Sequence, residues 1–327
     1  MSTSRDKISI IIPVYNAQNT VIPAISSIIT QTYENIELIV VDDCSTDSSY
    51  DLLIGSFSED KRLRILRNER NLGVADTLNR ALRHATGEFI ARMDADDFSL
   101  PERLEKQWKY LKQHPSTGVL GTSIEFFGAR QGKRIMPQEP EDNRVNLLFN
   151  SSLCHPTVMI RSCAMEPYDK SYEGCEDYEL WWRLARKTEI ANLREILLRY
   201  RIHPHQVTQR SNEAVRNRLL KFRRKQLSDI LGEYSERELQ LLAEFNMLTM
   251  QSSMTLVREV SSFFERIYAS TYYQGEKREL RILLKNILLS LTQNMEYHQR
   301  KNLLRGSSIV NWQDLFSSWI KNKISRK

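Results

Sequence analysis

Residues 89–104 read FIARMDADDFSLPERL and join a short apolar run to a tight group of acids. Asp94, Asp96 and Asp97 place three carboxylates within four positions. Like charges this close raise one another's pKa and repel, so the group is tolerated mainly where a cation lies among them. Asp is also common in turns and helix caps. The surrounding elements have to decide between a cap and a cation site.

The segment belongs to an alternating series of strands and helices. Apolar runs predict strands at 8–14, 37–41, 62–66 and 88–93. Between them, residues 17–30, 46–57 and 74–85 read as helices, with Gly87 as a plausible C-cap of the last. Such alternation predicts an α/β fold whose parallel sheet is covered by helices on both faces.

Polar clusters follow three of these strands at their carboxyl ends, where parallel sheets bind ligands. The clusters are Pro13-Val14-Tyr15-Asn16, Asp42-Asp43 and Asp94-Ala95-Asp96-Asp97. An acidic edge cannot bind a phosphate directly, but hard Mg²⁺ or Mn²⁺ accepts both carboxylate and diphosphate oxygens. The sequence therefore favours a metal-assisted phosphate site.

The residues after the acids predict a helix start that does not use them. Ser99 and Glu102 have the spacing of a capping box, with Pro101 in the first turn and Leu104 and Trp108 on the buried stripe. A cap at Ser99 would leave the aspartates free for a metal. Further strands are predicted at 118–127 and 157–161, and the polar loop 130–143 is a candidate lid on the acceptor side.

Composition sets the class of protein. The chain has 327 residues, 41% hydrophobic and 27% charged, which suits a catalytic domain of about 200 residues with a smaller appendage. It has no apolar run long enough for a membrane span and no signal-peptide core, so we expect a cytoplasmic protein. The cysteines show no metal-ligand spacing and are expected to be free thiols.

The chain resembles glycosyltransferase family 2, the inverting nucleotide-sugar transferases of the GT-A fold. The matching stretches are IIPVYNA, ELIVVDDCSTD, NLGVADTLNRAL, GEFIARMDADD, CEDYELWWRLAR and YRIHP, in order from residue 8 to about 205. Cys44 stands where the family usually has Gly, which affects turn geometry more than chemistry. The resemblance implies a Rossmann-like sandwich with a mainly parallel sheet over 1–210, divided near 115 into nucleotide and acceptor halves. It does not reach residues 211–327, whose amphipathic pattern predicts a helical region.

On the donor side, the resemblance implies that Pro13, Val14, Tyr15 and Asn16 line the nucleotide pocket. It implies that Asp43, and less clearly Asp42, contacts the nucleotide, since a carboxylate can accept the uracil N3–H. Helix capping near Thr46 is the alternative for both. The turn Asn71-Leu72-Gly73 would pass the base or ribose, and Asn79 or Arg80 could face the donor or simply be solvated.

The same resemblance assigns the metal site and the base. Asp96 is the expected ligand of Mn²⁺ or Mg²⁺, Asp94 lies toward the ribose or a metal-bound water with Ala95 between them, and Asp97 orients the site. His203 is a third ligand, a diphosphate contact or a structural residue, and His155 lies near the diphosphate or the acceptor; His205 is less favoured. Asp177 is the expected general base and Glu176 its neighbour, with a helix-dipole role as the alternative. One of Trp181 and Trp182 is a candidate sugar platform, with core packing as the alternative.

The implied function is inverting transfer from a nucleotide-sugar, with a UDP-sugar expected, to a saccharide or lipid-linked saccharide in capsule or O-antigen synthesis. A sugar-phosphate nucleotidylyltransferase would carry a Gly-rich loop that IIPVYNA lacks. A regulatory acidic-pocket domain would place its site in a single small domain. A catalytically inactive scaffold stays open. No nucleic-acid partner is expected.

The C-terminal tail predicts a membrane contact. An apolar stripe of Trp312, Leu315, Phe316, Trp319 and Ile320 is followed by Lys321, Lys323, Arg326 and Lys327. This suits an interfacial helix on an anionic leaflet, which would make the protein peripheral on the inner face of the membrane. The alternative is a helix docked on its own domain. Residues 211–300 could hold an acceptor, form a homo-oligomer or rest on a membrane.

Overall fold

A computed structural model describes residues 6–203, 213–244, 253–293, 295, 297–311, 313–314 and 317–318. The chain divides into two compact units, Met1–Arg218 and Leu219–Lys327. The boundary predicted near residue 210 falls among residues 204–212, which lie outside the described part.

The first unit begins with the predicted parallel sheet. Its strands are β1 (Ile8–Val14), β2 (Ile36–Asp42), β3 (Leu63–Arg67) and β4 (Phe89–Arg92), arranged β3-β2-β1-β4 and all parallel. The connecting helices are α1 (Val21–Ile29), α2 (Ser49–Phe57) and α3 (Val74–Leu82). Ile10, Ile11 and Ile12 of β1, which point alternately to the two faces of the sheet, are all fully buried, as expected for a strand covered on both faces. The predicted α/β fold is confirmed.

The second half of the unit continues the sheet with antiparallel neighbours. Its strands are β5 (Phe98–Ser99), β6 (Thr117–Gly128), β7 (Gly132–Arg134), β8 (Met159–Arg161) and β9 (Glu189–Ile202). Strand β8 joins β4 to β6, β6 runs parallel to β9, and β9 pairs with β5. The helices of this half are α4 (Arg103–Gln113), α5 (Pro140–Asn146) and α6 (Glu176–Leu184), with 3-10 turns at His155–Thr157 and Lys170–Tyr172.

Two local predictions of helix ends are wrong. Ser99 does not cap α4, because it lies in β5 and its Oγ accepts from Gln31 Nε2 at 3.1 Å. The helix begins at Arg103 after Glu102, which makes no side-chain cap. Gly87 does not end α3, because the helix stops at Leu82 and the Gly87 amide donates to the hydroxyl of Ser9 at 2.8 Å.

The predicted lid is not one irregular loop. Residues 130–143 contain β7, which pairs with β6, and the first turn of α5, where Pro140 starts the helix. Ile124 of β6 lies opposite Arg134, so the segment forms a hairpin that extends the sheet.

The second unit is helical, as predicted. Helix α7 (Glu213–Leu231) crosses from the first unit, and α8 (Glu236–Ala243), α9 (Met254–Ala269), α10 (Lys277–Leu291) and α11 (Tyr297–Leu303) follow. Leu280, Leu284 and Leu288 form the buried stripe of α10. Among the described residues, no helix combines the length and apolar content needed to cross a bilayer. The predicted tail stripe at Trp312, Leu315, Phe316, Trp319 and Ile320 lies outside those residues.

Candidate active site

Three carboxylates meet in the turn after β4. One oxygen each from Asp94, Asp96 and Asp97 lies within 4.8 Å of the others. Asp94 and Asp96 are partly exposed, whereas Asp97 is 3% exposed. Neither this turn nor its acids cap α4, which starts further along the chain. The group is therefore an open cluster of oxygen ligands rather than a helix cap.

The cation that such a cluster requires is Arg92, at the end of β4. Its Nη1 donates to Asp94 Oδ2 at 2.7 Å and its Nη2 lies 2.5 Å from Asp94 Oδ1. Burial by itself lowers the pKa of Arg92, but the charge and hydrogen bond of Asp94, together with the charges of Tyr168 and Asp97, raise that pKa above its usual range. Sequence reasoning missed Arg92, although an arginine inside a four-residue buried strand is itself a signal that a buried anion lies nearby.

Strand β9 closes the cluster from the other side. The Arg201 amide donates to Asp97 Oδ1 at 2.8 Å, and Arg201 Nε donates to the Asp96 carbonyl at 2.8 Å. His203 Nε2 lies 3.1 Å from Asp96 Oδ2. The structure thus brings His203 to the predicted metal ligand, and its role as a ligand stays a prediction.

The chemistry of this donor set suits a divalent cation. Burial, and then the charge of Asp94, raises the pKa of both Asp96 and Asp97, so a positive ion would relieve the cluster. Within the described part of the chain, Asp97 Oδ2 is buried without a hydrogen-bond partner. Hard oxygen ligands of this kind bind Mg²⁺ or Mn²⁺. Asp96 is the most available, because Arg92 already occupies both oxygens of Asp94.

Asp43 organises the donor-side turn at residues 71–73. Its Oδ1 accepts from the Leu72 amide at 2.8 Å and from Asn68 Nδ2 at 2.6 Å, and its Oδ2 accepts from the Gly73 amide at 2.9 Å. Neither Asp42 nor Asp43 caps α2, since Ser48 holds that position. Asp42 Oδ2 instead accepts from the Ser45 amide at 3.1 Å. The nucleotide role of Asp43, which is 4% exposed and already accepts these three hydrogen bonds, stays a prediction.

The segment after β1 is tied to the turn after β2. Asn16 accepts from the Thr46 amide at 2.9 Å, and Asn16 and Cys44 both adopt left-handed backbone angles, with φ of 50° and 58°. Tyr15 is 51% exposed, so its ring is free to cover a base, whereas the Val14 side chain is buried. Asn71 is exposed beside the same edge.

Asn79 and Arg80 face protein groups. Asn79 Nδ2 donates to the Tyr168 carbonyl at 2.8 Å, and the Tyr168 amide donates to Asn79 Oδ1 at 2.9 Å. Arg80 Nη1 donates to Asn68 Oδ1 at 2.6 Å. These bonds favour structural roles for both side chains over solvation, and their predicted contact with the donor remains untested.

The predicted general base begins α6. Burial, and then the charge of Asp177, raises the pKa of Glu176 to about 7. Burial also raises the pKa of Asp177, whose Oδ1 accepts from the Tyr178 amide at 2.7 Å. Asp177 is the more exposed of the two. The pair can therefore hold one proton near neutral pH, which is the property a general base needs.

Aromatic side chains pack behind this pair. His155 Nε2 lies 2.9 Å from the Tyr168 hydroxyl, and burial holds the pKa of His155 well below its usual range, so its ring is neutral. Trp181 and Trp182 are 0% and 1% exposed, so the predicted sugar platform is wrong. Because α6 is covered on both sides, each indole lies in the core. His205 lies outside the described residues.

Comparison with known proteins identifies the family. The sequence model named "Glycosyl transferase family 2" matches residues 9–174, and the chain belongs to this family. It is a glycosyltransferase, which sets aside the nucleotidylyltransferase alternative. The chain is 37% identical over 211 residues to the "Putative glycosyltransferase EpsE" of Bacillus subtilis, covering 61% of this chain and 74% of the relative.

A second relative carries a more specific name. It is the "UDP-Glc:alpha-D-GlcNAc-diphosphoundecaprenol beta-1,3-glucosyltransferase WfgD" of Escherichia coli, 32% identical over 71% of this chain and 88% of the relative. Among solved structures, S. aureus TarS 1–349 in complex with UDP superposes with a TM-score of 0.59 at 18% identity, over 88% of this chain and 90% of that one. The mannosyltransferase PcManGT from Pyrobaculum calidifontis, in complex with GDP-Man and Mn²⁺, gives 0.53 at 16% identity, over 99% and 88%. These likenesses confirm the GT-A fold.

Proposed function

We propose that this glycosyltransferase moves a sugar from a UDP-sugar to a hydroxyl of a lipid-linked saccharide in surface polysaccharide synthesis, with a divalent cation held at Asp96. The observation that carries the proposal is the carboxylate cluster at 94–97. It lies against the buried Arg92, and the charges of Asp94 and Arg92 both act on Asp177 of α6. The names of WfgD and of the UDP complex of TarS support the donor and acceptor classes.

The chain's own residues divide the reaction between two sides. On the donor side, the Tyr15 ring covers the uracil. Asp43 accepts a hydrogen bond from the uracil imide and from the amides of the turn at 71–73. Asp96 binds the cation, and Asp94 and Asp97 lie beside it. A bound divalent cation neutralises charge that develops on the departing diphosphate. The raised pKa of Asp96 and of Asp97 suits these two carboxylates to a site that is completed by positive charge.

On the acceptor side, Asp177 removes the proton from the attacking hydroxyl. The oxygen forms its bond to the anomeric carbon on the face opposite the diphosphate, and the bond to the diphosphate oxygen breaks. An α-linked donor therefore gives a β-glycoside. Glu176 keeps a negative charge close to Asp177, which favours proton uptake by the pair.

The test is a donor screen that measures release of nucleoside diphosphate. UDP-, GDP- and dTDP-sugars are each supplied with Mn²⁺ or Mg²⁺ and with a GlcNAc-diphospho-polyprenol acceptor, the same saccharide without lipid, or no acceptor. We expect UDP release that depends on the lipid-linked acceptor. Release from GDP- or dTDP-sugars alone would overturn the donor assignment, and equal rates with the free saccharide would overturn the acceptor assignment.

A further inference from the structure

Consecutive amides at the start of α3 all donate to carboxylates. The amides of Leu72 and Gly73 bind Asp43, and the Val74 amide donates to Glu173 Oε1 at 3.0 Å. Gly73 is the N-cap of α3 and has no side chain that could bind the free amides of the first turn. Glu173, 99 positions further along the chain, supplies that cap from another segment.

Gly73 leaves the space that Glu173 occupies. A Cβ built on Gly73 would lie 1.9 Å from Glu173 Oε1, and the backbone there has a φ of 90°. A side chain at position 73 is therefore excluded both by the turn and by the carboxylate. The packing of Glu173 against this turn is close and specific.

The segment that carries Glu173 is fixed to α3 at further points. Asn79 binds the Tyr168 backbone in both directions, and Lys170 Nζ donates to the Leu72 carbonyl at 3.1 Å. Arg218 Nη1 donates to the Glu173 carbonyl at 2.8 Å. Residues 168–173 thus lie along the donor-side helix before the chain turns into α6.

Glu173 is close in sequence to Glu176 and Asp177, the carboxylates at the start of α6. Gly174 has a φ of 93°, and its amide donates to the Glu176 carboxylate. Only Gly174 and Cys175 separate Glu173 from Glu176, the first residue of α6. Glu173 therefore links the donor-side turn to Glu176 and Asp177 through two intervening residues.

We propose that Glu173 is a positioning residue that aligns Glu176 and Asp177, at the start of α6, with the donor-side turn at 71–73; the inference rests on the proposed function. Glu173 acts through the Val74 amide and the turn at Gly174, and it does not touch the reacting atoms. Asp43 and Glu173 together hold one turn from both sides of the site. Glu173 consequently fixes the position of the acceptor-side base, Asp177, relative to the donor-side turn.

The test compares Glu173→Ala, Glu173→Gln and Asp60→Ala by steady-state kinetics. Asp60 is the matched control, because it binds the Arg62 amide at 2.9 Å in the same unit but at the amino end of β3, away from the site. Glu173→Ala should lower kcat about 10- to 100-fold while KM for the donor changes less than about threefold, since small misplacement of a catalytic group has a large effect on rate. Glu173→Gln should recover most of kcat, because its amide oxygen still accepts from Val74. Asp60→Ala should lower Tm and leave kcat unchanged.

Equal kcat in Glu173→Ala and Asp60→Ala would overturn the proposal, and so would equal loss in the Ala and Gln variants, which would indicate a role for the charge itself. Hydrogen exchange separates this inference from the proposed function. In Glu173→Ala, amides of 72–76 and 174–178 should exchange faster together, and in Asp60→Ala they should not. If wild type turns over no donor but this joint exchange is seen, the proposed function fails and the alignment stands. If wild type turns over and the two segments exchange independently, the alignment fails.

Discussion

Arg92 and Asp94 form a two-point ion pair across a single intervening residue, with Nη1–Oδ2 and Nη2–Oδ1 distances of 2.7 and 2.5 Å. Arg92 is buried and Asp94 reaches the surface. The cluster at 94–97 therefore has a built-in positive charge on its inner side and its open oxygens on the outer side. This pair orients the cluster toward solvent, where a diphosphate would approach.

Replacement of Arg92 by Met should destabilise the protein by about 3 kcal/mol, because it leaves buried carboxylates without their cation. Arg92→Lys keeps the charge but loses the planar fork, so we expect an intermediate effect. Urea denaturation measures both. The exposed pair of Arg199 and Glu125 offers the control, as Arg199→Met should change the free energy of unfolding by less than about 0.5 kcal/mol. A loss in Arg199→Met equal to that in Arg92→Met would contradict this account.

Removal of the proposed metal ligand, Asp96, should abolish transfer without unfolding the protein. Asp96→Ala should reduce Mn²⁺ binding, measured by calorimetry, at least about tenfold and eliminate nucleoside diphosphate release. EDTA should stop wild-type turnover, and added Mn²⁺ should restore it. Full activity in excess chelator would show that the carboxylates at 94–97 serve another purpose.

Protonation of the proposed general-base pair, Glu176 and Asp177, should cause the fall in rate on the acid side of the pH–rate profile. Below about pH 7 the pair holds a proton, so kcat should fall as the pH is lowered through this value. Glu176→Gln removes the neighbouring charge and should move this fall to lower pH. Asp177→Asn should bind UDP normally and lose about 10²- to 10⁴-fold in kcat. Wild-type turnover by Asp177→Asn would assign the base to another group.

The same glutamate should weaken folding at high pH. The pKa of Glu176 is about 7 in the folded protein and 4.5 in its ordinary state, so the folded form binds the proton more tightly. The contribution of Glu176 to the free energy of unfolding is therefore fully present below about pH 4.5 and is lost as the pH rises through about 7. Glu176→Gln, which cannot ionise, should be about 3 kcal/mol more stable than wild type at pH 8 and close to it at pH 4. Thermal unfolding at the two pH values checks this.

Cys44 should be replaceable by Gly with a gain in stability. Its φ of 58° is left-handed, a conformation that glycine adopts without steric cost. We expect Cys44→Gly to raise the free energy of unfolding by about 0.5 kcal/mol, after the greater flexibility of unfolded glycine is included. Cys163, an exposed thiol whose φ is not left-handed, is the control, and Cys163→Gly should destabilise. The same sign for both variants would disprove the argument.

Membrane contact by the C-terminal tail also remains to be tested. A chain that ends at Asp314 keeps Ile309 and Val310, which are buried, and the ion pair of Asp314 with Lys285 at 3.1 Å. It loses the apolar stripe beyond residue 314 and the basic residues after it. The full chain should pellet with phosphatidylglycerol vesicles at low salt and less at high salt, and the shortened chain should stay in solution. Equal behaviour of the two chains would remove the tail as the contact.

Much of the donor half could be predicted, because buried parallel strands are continuous apolar runs and their ends collect polar residues. The cluster at 94–97 was visible for this reason. The Ser99 cap was predicted wrongly because Ser99 lies in a strand and its hydroxyl accepts a hydrogen bond from Gln31, 68 positions away. Local spacing cannot reveal such competition.

The contacts that organise the site follow no periodicity in the sequence, whether the partners are two positions apart, as Arg92 and Asp94 are, or 99 apart, as Val74 and Glu173 are. Arg92 reads as one polar residue in a short strand, and Glu173 reads as one acid among several before α6. Their partners, Asp94 and the Val74 amide, become evident only when the chain is folded. Burial of both Trp181 and Trp182 likewise depends on elements that cover α6 from opposite sides.

The return of β9 to the carboxylate cluster also has a consequence for biosynthesis. The bonds from Arg201 to Asp97 and from His203 to Asp96 join residues 104 and 107 positions apart. At about 5–20 residues per second, a ribosome needs roughly 5–20 s to make the intervening chain. During that interval the nascent chain carries the acids of residues 94–97 beside Arg92 but without the bonds from Arg201 and His203, so the carboxylate cluster is completed late in synthesis.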